Sequence, residues 1–436
     1  MQLSRLSCAV LLTALGCVPD GWTYPPPRDA TSADASSDAP SDARPDGSTD
    51  AATDAATDDD APDFSCSEAS PRCAPGHVCA AGACVTRYTS LSLGARSSHA
   101  CAVRAGQVFC WGLNDHGQLG TGDRVNSWTP VAVVGITDAV TVSTGFEHTC
   151  ALLRSGAVRC WGINYAGELG DGTTTDSNTP VDVVGITDAF TVVAGYAHAC
   201  VLRSNGAVAC WGFGNAGRLG NNSRVNSSVP VAVQGVTDAV SIAVGHEHTC
   251  LIRRAGTVMC WGVNYAGELG DGTNTDRWVP TAVTGLSDVV ALAGGWAHTC
   301  AVQRSGALMC WGYNHRGQLG NHSFDDSNTP VAVREITRAV AVGAGQAHTC
   351  AVLSSGAVRC WGANGQGQLG DDSTGIATTP VAVIGITDAT AVFASEVSSC
   401  ALRRSGAISC WGDNTYGQLG DGTTDARHTP VAVSGL

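Results

Sequence analysis

Two cysteines and a histidine recur together along most of this chain. In residues 145–162, "GFEHTCALLRSGAVRCWG", they are His148, Cys150 and Cys160. Similar pairs stand at Cys101/Cys110, Cys200/Cys210, Cys250/Cys260, Cys300/Cys310, Cys350/Cys360 and Cys400/Cys410. Two chemistries use such residues: a disulfide across a hairpin, or a metal site of two cysteines and one histidine. On a strand His148 and Cys150 would share a face. A three-residue loop, Arg154-Ser155-Gly156, pairs Leu153 with Ala157 and sets Cys150 opposite Cys160, within disulfide range. The first copy is one residue shorter, and a two-residue loop, Ala105-Gly106, still sets Cys101 opposite Cys110. The last copy separates the two chemistries. It reads "SEVSSC", with Ser398 in the histidine's place, yet Cys400 and Cys410 remain. Cysteine pairing does not need the histidine, so the expectation is seven disulfides and no metal.

The other repeated residues read as scaffold. His99, His148, His198, His248, His298 and His348 form a near-complete ring. A ring of seven units spreads them too far apart to share one ion, so each is expected to bond a neighbouring loop. The tryptophans of the Cys-Trp-Gly triplets, Trp111 to Trp411, read as packing. The Gly-Gln/Glu-Leu-Gly phrase is a turn, since no GK[ST] follows it, and "GDGTTTD" lacks the order of a calcium loop. No Ser-His-Asp set or carboxylate pair stands out, and no cofactor is expected. All 24 basic residues are Arg, which excludes lysine Schiff-base and P-loop chemistry. The net charge of −14 argues against a nucleic-acid partner, because phosphate binding needs clustered cations.

The elements that must hold these residues repeat every fifty positions, with the triplet starting at Cys110, Cys160, Cys210, Cys260, Cys310, Cys360 and Cys410. Each unit has four short apolar runs, for example "TPVAVVG" (129–135), "AVTVSTG" (139–145), "HTCALL" (148–153) and "AVRCWG" (157–162). Their β-branched content and Gly/Asp/Ser borders mark strands. Four strands in seven units predict an all-β fold, a seven-bladed β-propeller over residues 87–436. "ITDA" is hairpin length, whereas "INYAGELGDGTTTDSN" is long. The long link is therefore expected to cross between blades, making a blade TPVAV, AVTV, HTCAL, VRCWG. Strand 429–436 would then complete the first blade and close the ring.

Ahead of the repeats lie three segments. Residues 1–17 read as a signal peptide whose "TALGC" is a lipobox, with Cys17 lipidated; simple cleavage is the alternative. Residues 18–63 hold twelve Asp against two Arg and few core-forming residues, so a disordered linker is expected. Residues 64–86 carry Cys66, Cys73, Cys79 and Cys84. They suggest a small two-disulfide knot with three possible connectivities, or a zinc knuckle. The destination is export: an outer-membrane or cell-surface lipoprotein, or a secreted protein, touching the membrane through the anchor only.

The pattern carried by Gly145, His148, Leu152, Gly156, Val158, Trp161, Gly162, Asn164, Gly167, Leu169 and Gly170 resembles the regulator of chromosome condensation repeat family. The resemblance holds in seven copies over about 350 residues. It implies a seven-bladed propeller. The family includes a guanine-nucleotide exchange factor, and secreted bacterial inhibitors that bind β-lactamases. The exchange factor acts through an insertion projecting from one blade; here the triplets keep an even spacing, so no such wedge is inserted.

Positions that vary between copies are the candidates for specific function. After the repeated glycine stand Phe146, Tyr196, His246 and Trp296; in the long loop stand Tyr165, Tyr265, His315 and, one place on, Tyr416. Strand direction alternates, so the two loops that carry them share one rim. Exposed aromatic residues on one rim suit binding of a protein or glycan by a monomer; inter-blade packing of the rings is the other reading. Two alternatives stand beside a binding function: exchange activity, as the resemblance implies, and an enzyme with its site in the central channel.

Overall fold

A computed structural model describes residues 77–80, 83–86, 88–94 and 97–435. The expectations for the leader, Cys17, the linker, Cys66 and Cys73 lie outside the described residues. Of the cysteine-rich segment, His77–Ala80 and Ala83–Thr86 form a two-stranded hairpin in which Cys79 and Cys84 are register partners.

From Tyr88 to Ala432 the chain forms seven antiparallel sheets of four strands each. They are blades 1 to 7 of an all-β propeller, at 88–132, 139–182, 189–232, 239–282, 289–332, 339–382 and 389–432. In blade 2 the four strands are Ala139–Thr144, His148–Leu153, Val158–Gly162 and Ser177–Asp182. First strands of successive blades approach one another and so line the centre; fourth strands lie outermost. The hairpin turns follow the local sequence. Gly156 takes φ +85°, and Ala105-Gly106 takes φ +50° and +83°, a two-residue turn with both centres left-handed.

Hydrophobic burial is organised between blades rather than inside them. Cys150, Leu152, Val158 and Leu169 of blade 2 pack against Val192, Ala199, Val201 and Trp211 of blade 3. Each seam therefore has its own small core, and every blade contributes one face to each of two seams.

Two expectations are corrected. The blade is AVTV, HTCAL, VRCWG, then TPVAV: it begins one strand later than expected. The long link stays within the blade because it is coiled around Asn164. That side chain donates to the Thr173 and Thr175 carbonyls and accepts from the Leu169 N–H, while Asp176 caps the Asn164 N–H. Loop length is thus not reach. The short link crosses instead, held by Val133 N–H to Val108 C=O, Val134 N–H to Gly120 C=O and Ala139 N–H to Gly106 C=O. The second correction follows from the first. Strand Arg427–Ala432 pairs with Ile408–Gly412 in blade 7, and blade 1 is completed by its own Ser127–Ala132. The ring closes without strand exchange. The Trp111 indole donates to the Gln418 carbonyl at 3.0 Å and the Gly422 N–H to the Trp128 carbonyl at 3.1 Å. Leu91, Leu93 and Trp111 pack on Leu402, Ile408 and Leu419 across this seam.

All seven expected disulfides form, Cys101–Cys110 through Cys400–Cys410, each between direct register partners 4.0–4.1 Å apart at Cα. Replacing Cys150 and Cys160 together by alanine should cost about 2–3 kcal/mol by the loop-closure relation. Denaturant unfolding of that variant beside the parent measures it.

Candidate functional site

Each seam is held by one repeated set of polar bonds. The indole N–H of a blade's tryptophan donates to a carbonyl of the preceding blade: Trp161 to Gln118, Trp211 to Glu168 and Trp311 to Glu268, at 2.8–2.9 Å. The same carbonyl accepts a hydroxyl in four seams, from Thr149, Thr299, Thr349 and Ser399. That hydroxyl also meets the histidine of the blade before, as in His99 Nε2 to Thr149 Oγ1 at 2.8 Å and His298 Nε2 to Thr349 Oγ1 at 2.9 Å. The histidines are fully enclosed. Burial lowers their pKa, to about 3 for His99 and His298 and about 4 for His148, His248 and His348, so they are neutral hydrogen-bonding groups.

The glycine three residues before His148, His198, His248, His298 and His348 is required by this packing. A Cβ on Gly145 would lie 2.3 Å from the His148 ring and 2.5 Å from the Gly195 carbonyl. Blade 7 substitutes both partners at once: Ser395 and Ser398 replace Gly and His and bond each other at 2.6 Å. Blade 3 breaks the relay, because Ala199 stands where the hydroxyl should be, and neither ring nitrogen of buried His148 has a partner. Ala199→Thr should restore the bond and raise stability by about 1 kcal/mol, read as a higher denaturant midpoint.

The variable positions come together above these seams. The loop at 145–147 and the loop at 163–176 leave the same edge of the blade, so the shared rim holds although the blade boundary moved. The backbone fixes the first loop against its neighbour: Phe146 N–H donates to Gly195 C=O, His246 N–H to Gly295 C=O and Trp296 N–H to Gly345 C=O. The side chains then touch from blade to blade. Phe146 lies 4.8 Å from Tyr196 between ring centroids, Tyr196 lies 4.1 Å from His246, and His246 lies 6.4 Å from Trp296. Trp296 meets Tyr265 at 6.2 Å and Tyr313 at 5.6 Å, and Tyr313 meets His315 at 4.5 Å. The result is a continuous arc of rings over blades 2 to 5, at the channel mouth. Phe146, Tyr196 and His246 line a small recess there with the glycines beside them. In blades 6 and 7 the equivalent places hold Gln346 and Glu396, hydrogen-bonded to each other at 3.3 Å. Tyr165 and Tyr416 are half-exposed on the same rim, and Tyr165 is close enough to Arg218 to feel its charge.

Two members of this face were missed in the sequence. Tyr313 follows a Trp-Gly pair, a place occupied elsewhere by Leu113, Ile163, Phe213, Val263, Ala363 and Asp413. That variation was the available signal. Arg218 replaces the Gln or Glu of the other six turns; it is buried, salt-bridged to Glu247 and stacked 4.6 Å from the Phe213 ring. Because arginine cannot accept the N–H that Gln118 or Glu168 accepts, its turn is distorted, with Ala216 at φ +57°.

The seam residues are those of a known repeat. The regulator of chromosome condensation (RCC1) repeat matches residues 105–152, 205–252, 255–302, 305–352 and 405–436. A second form of that repeat matches residues 139–168, 191–218, 239–268, 289–318, 339–368 and 390–418. The chain belongs to the RCC1 repeat family. Solved structures agree at the level of the fold. Yeast RCC1 (Prp20), seen bound to Kap60, is similar with a TM-score of 0.68 and 22% identity, over 76% of this chain and 84% of that one. Human WBSCR16 gives a TM-score of 0.69 and 21% identity, over 76% and 94%. Prp20p from Saccharomyces cerevisiae, solved again in a study of its binding to Gsp1p and histones, gives 0.67 and 22%, over 80% and 88%. Within this RCC1-repeat ring, Gly, His and Trp serve the seams and Asn coils the long loop inside each blade. The arc rests on the positions the repeat leaves variable.

Proposed function

We propose that this RCC1-repeat protein is a binding protein that holds a protein or glycan ligand on the aromatic arc of its propeller. The continuous ring-to-ring contact from Phe146 to His315 carries this reading. Seam residues are interchangeable between blades, whereas among the described residues the arc occupies four blades and gives the ring one distinct side. Aromatic residues clustered at a rim supply large contact area at low entropic cost. Yeast RCC1 is seen bound to Kap60, and Prp20p is described with binding properties to Gsp1p and histones, so protein ligands have precedent on this fold. We place the protein outside the cytoplasm, exported and anchored through a lipid on Cys17 or secreted, on the strength of the leader-like residues 1–17 and the disulfide in every blade.

The test is capture of a ligand from the envelope of the source cell, identification of it, and titration against the variant carrying alanine at Phe146, Tyr165, Tyr196, Tyr265 and Trp296. Affinity should fall at least about tenfold, equivalent to 1.4 kcal/mol. Unchanged affinity, with an unchanged melting temperature, would remove the arc from the binding site.

A further inference from the structure

Beneath the arc runs a second, unassigned pattern. Each seam has two facing places: the second residue of one blade's Gly-x-Leu-Gly turn and the residue three places before the first cysteine of the next blade, as in Arg218 and Glu247. Arg218 and Glu247 occupy them at one seam and are bonded to each other, which shows that they touch. Along blades 1 to 5 every seam holds one glutamate at this pair of places: Glu147, Glu168, Glu247 and Glu268 in turn. At the next two seams the pairs are Gln318 with Ala347 and Gln368 with Val397, without a carboxylate. The line of glutamates stops where the line of rings stops. Glu168 is fully buried, and its Oε1 has no hydrogen-bond partner. Glu147 lies 3.5 Å from His116.

Burial holds Glu168 and Glu268 neutral and Glu247 is paired with Arg218, so the negative charge of this face lies in its loops. Among the described residues, the loops on the arc's face hold eighteen Asp and Glu against four Arg; those on the opposite face hold six of each. Carboxylates alone would attract any cation. Aromatic faces add direction, because the ring's negative π-face binds a cation placed over it. The protein's own arginines already use this geometry on the same face, Arg218 over Phe213 and Arg224 over Trp278 at 3.9 Å from its centroid.

We infer that the arc takes a cationic peptide segment of a partner protein, whose arginine or lysine heads meet the arc at Trp296 and along the edge of Tyr196, whose faces are taken by Phe146 and His246, while the loop carboxylates supply counter-charge. This rests on the arc being the binding site, and narrows its ligand from any protein or glycan to a basic segment. The occupant follows from charge complementarity: a basic segment meets both the rings and the carboxylates, whereas an acidic or neutral glycan brings no positive charge to this face.

The experiment titrates the full chain with two labelled peptides of equal length, one of repeating Gly-Ser-Arg and one of repeating Gly-Ser-Gln. The protein is used as the parent, as Tyr196→Ala/Trp296→Ala, and as Asp115→Asn/Asp325→Asn, two exposed loop carboxylates outside the arc. The arginine peptide should bind at least about tenfold more tightly than the glutamine peptide, and weaken as salt is raised. The double alanine variant should lose about tenfold, and the neutralised-loop variant about two- to threefold through the weaker field. Equal binding of both peptides, with loss in the alanine variant, overturns the cationic inference and leaves the arc as the site. Arginine-peptide binding that ignores the alanine substitutions overturns it as well, since the general field of the face would then explain the attraction. Failure of both peptides to bind also overturns it. The arc itself is judged separately, by the captured ligand.

Discussion

Trp311→Ala is expected to cost about 3–5 kcal/mol, among the largest effects available to a single substitution in this propeller. The indole is fully buried between blades 4 and 5, against Leu269, Val283, Val289 and Ala301. It also donates to the Glu268 carbonyl at 2.9 Å. Removing the ring leaves a cavity between two sheets whose backbones cannot close on it. Trp311→Phe separates the two contributions. Phenylalanine keeps most of the volume, and the Glu268 carbonyl keeps the Thr299 hydroxyl at 2.8 Å. The phenylalanine variant should therefore lose only about 1 kcal/mol, the net value of one hydrogen bond. Denaturant titration of both variants decides it. Equal losses would mean that the hydrogen bond, and not the packing, holds the seam.

Acid should destabilise the protein steeply, and at an unusually high pH. Six buried histidines have pKa values depressed by burial, to about 3 for His99 and His298, about 4 for His148, His248 and His348, and well below the ordinary value for His198. In the unfolded chain each protonates near 6.5. Between those values the unfolded state binds protons that the folded state refuses. Stability is thus complete above about pH 6.5 and falls as pH drops towards 4, by about 1.4 kcal/mol per unit for each histidine. Glu168 and Glu268 work the other way. Burial raises both to about 8, so the folded state holds their protons where the unfolded state would release them. They stabilise as pH falls from 8 to about 4.5 and offset two of the six histidines. The sum is a stability maximum close to pH 6.5–7, with a shallow loss on the alkaline side and a steep one on the acid side. Unfolding midpoints measured from pH 4.5 to 9 test this. His148→Gln should flatten the acid limb by about one proton, since His148 makes no ring hydrogen bond to lose.

The parts of this protein that repeat were readable from the chain, and the parts that differ were readable only as places. Cys150 opposite Cys160 follows from hairpin geometry alone, because the loop length and the left-handed glycine leave one register. The ring fold follows from the period. The common rim followed from alternating strand direction, and it survived the wrong blade boundary because moving the start by one strand leaves both loops at the same edge. The boundary itself was hidden in Asn164. Its three bonds to the Thr173 carbonyl, the Thr175 carbonyl and the Leu169 N–H shrink a long loop to the span of a short one. Nothing in loop length reports such coiling. Tyr313 and Arg218 show a different limit. Both depart from the repeat, but the meaning of each departure depends on a neighbour in another blade: Trp296 for one, Glu247 for the other. Contacts across a seam join residues about thirty to fifty positions apart, where no local pattern links them.

The seam between blades 7 and 1 is made of the same indole-to-carbonyl bond and the same apolar face as the six seams that a peptide link also joins. Since every blade is one uninterrupted stretch of chain, a duplication or deletion of fifty residues adds or removes one complete blade and two half-seams that already match. A ring whose last strand was borrowed from the other end would lose its closure whenever a copy was gained. This architecture lets copy number change without designing a new junction, and it leaves only the radius of the ring, and the arc's curvature with it, to be readjusted.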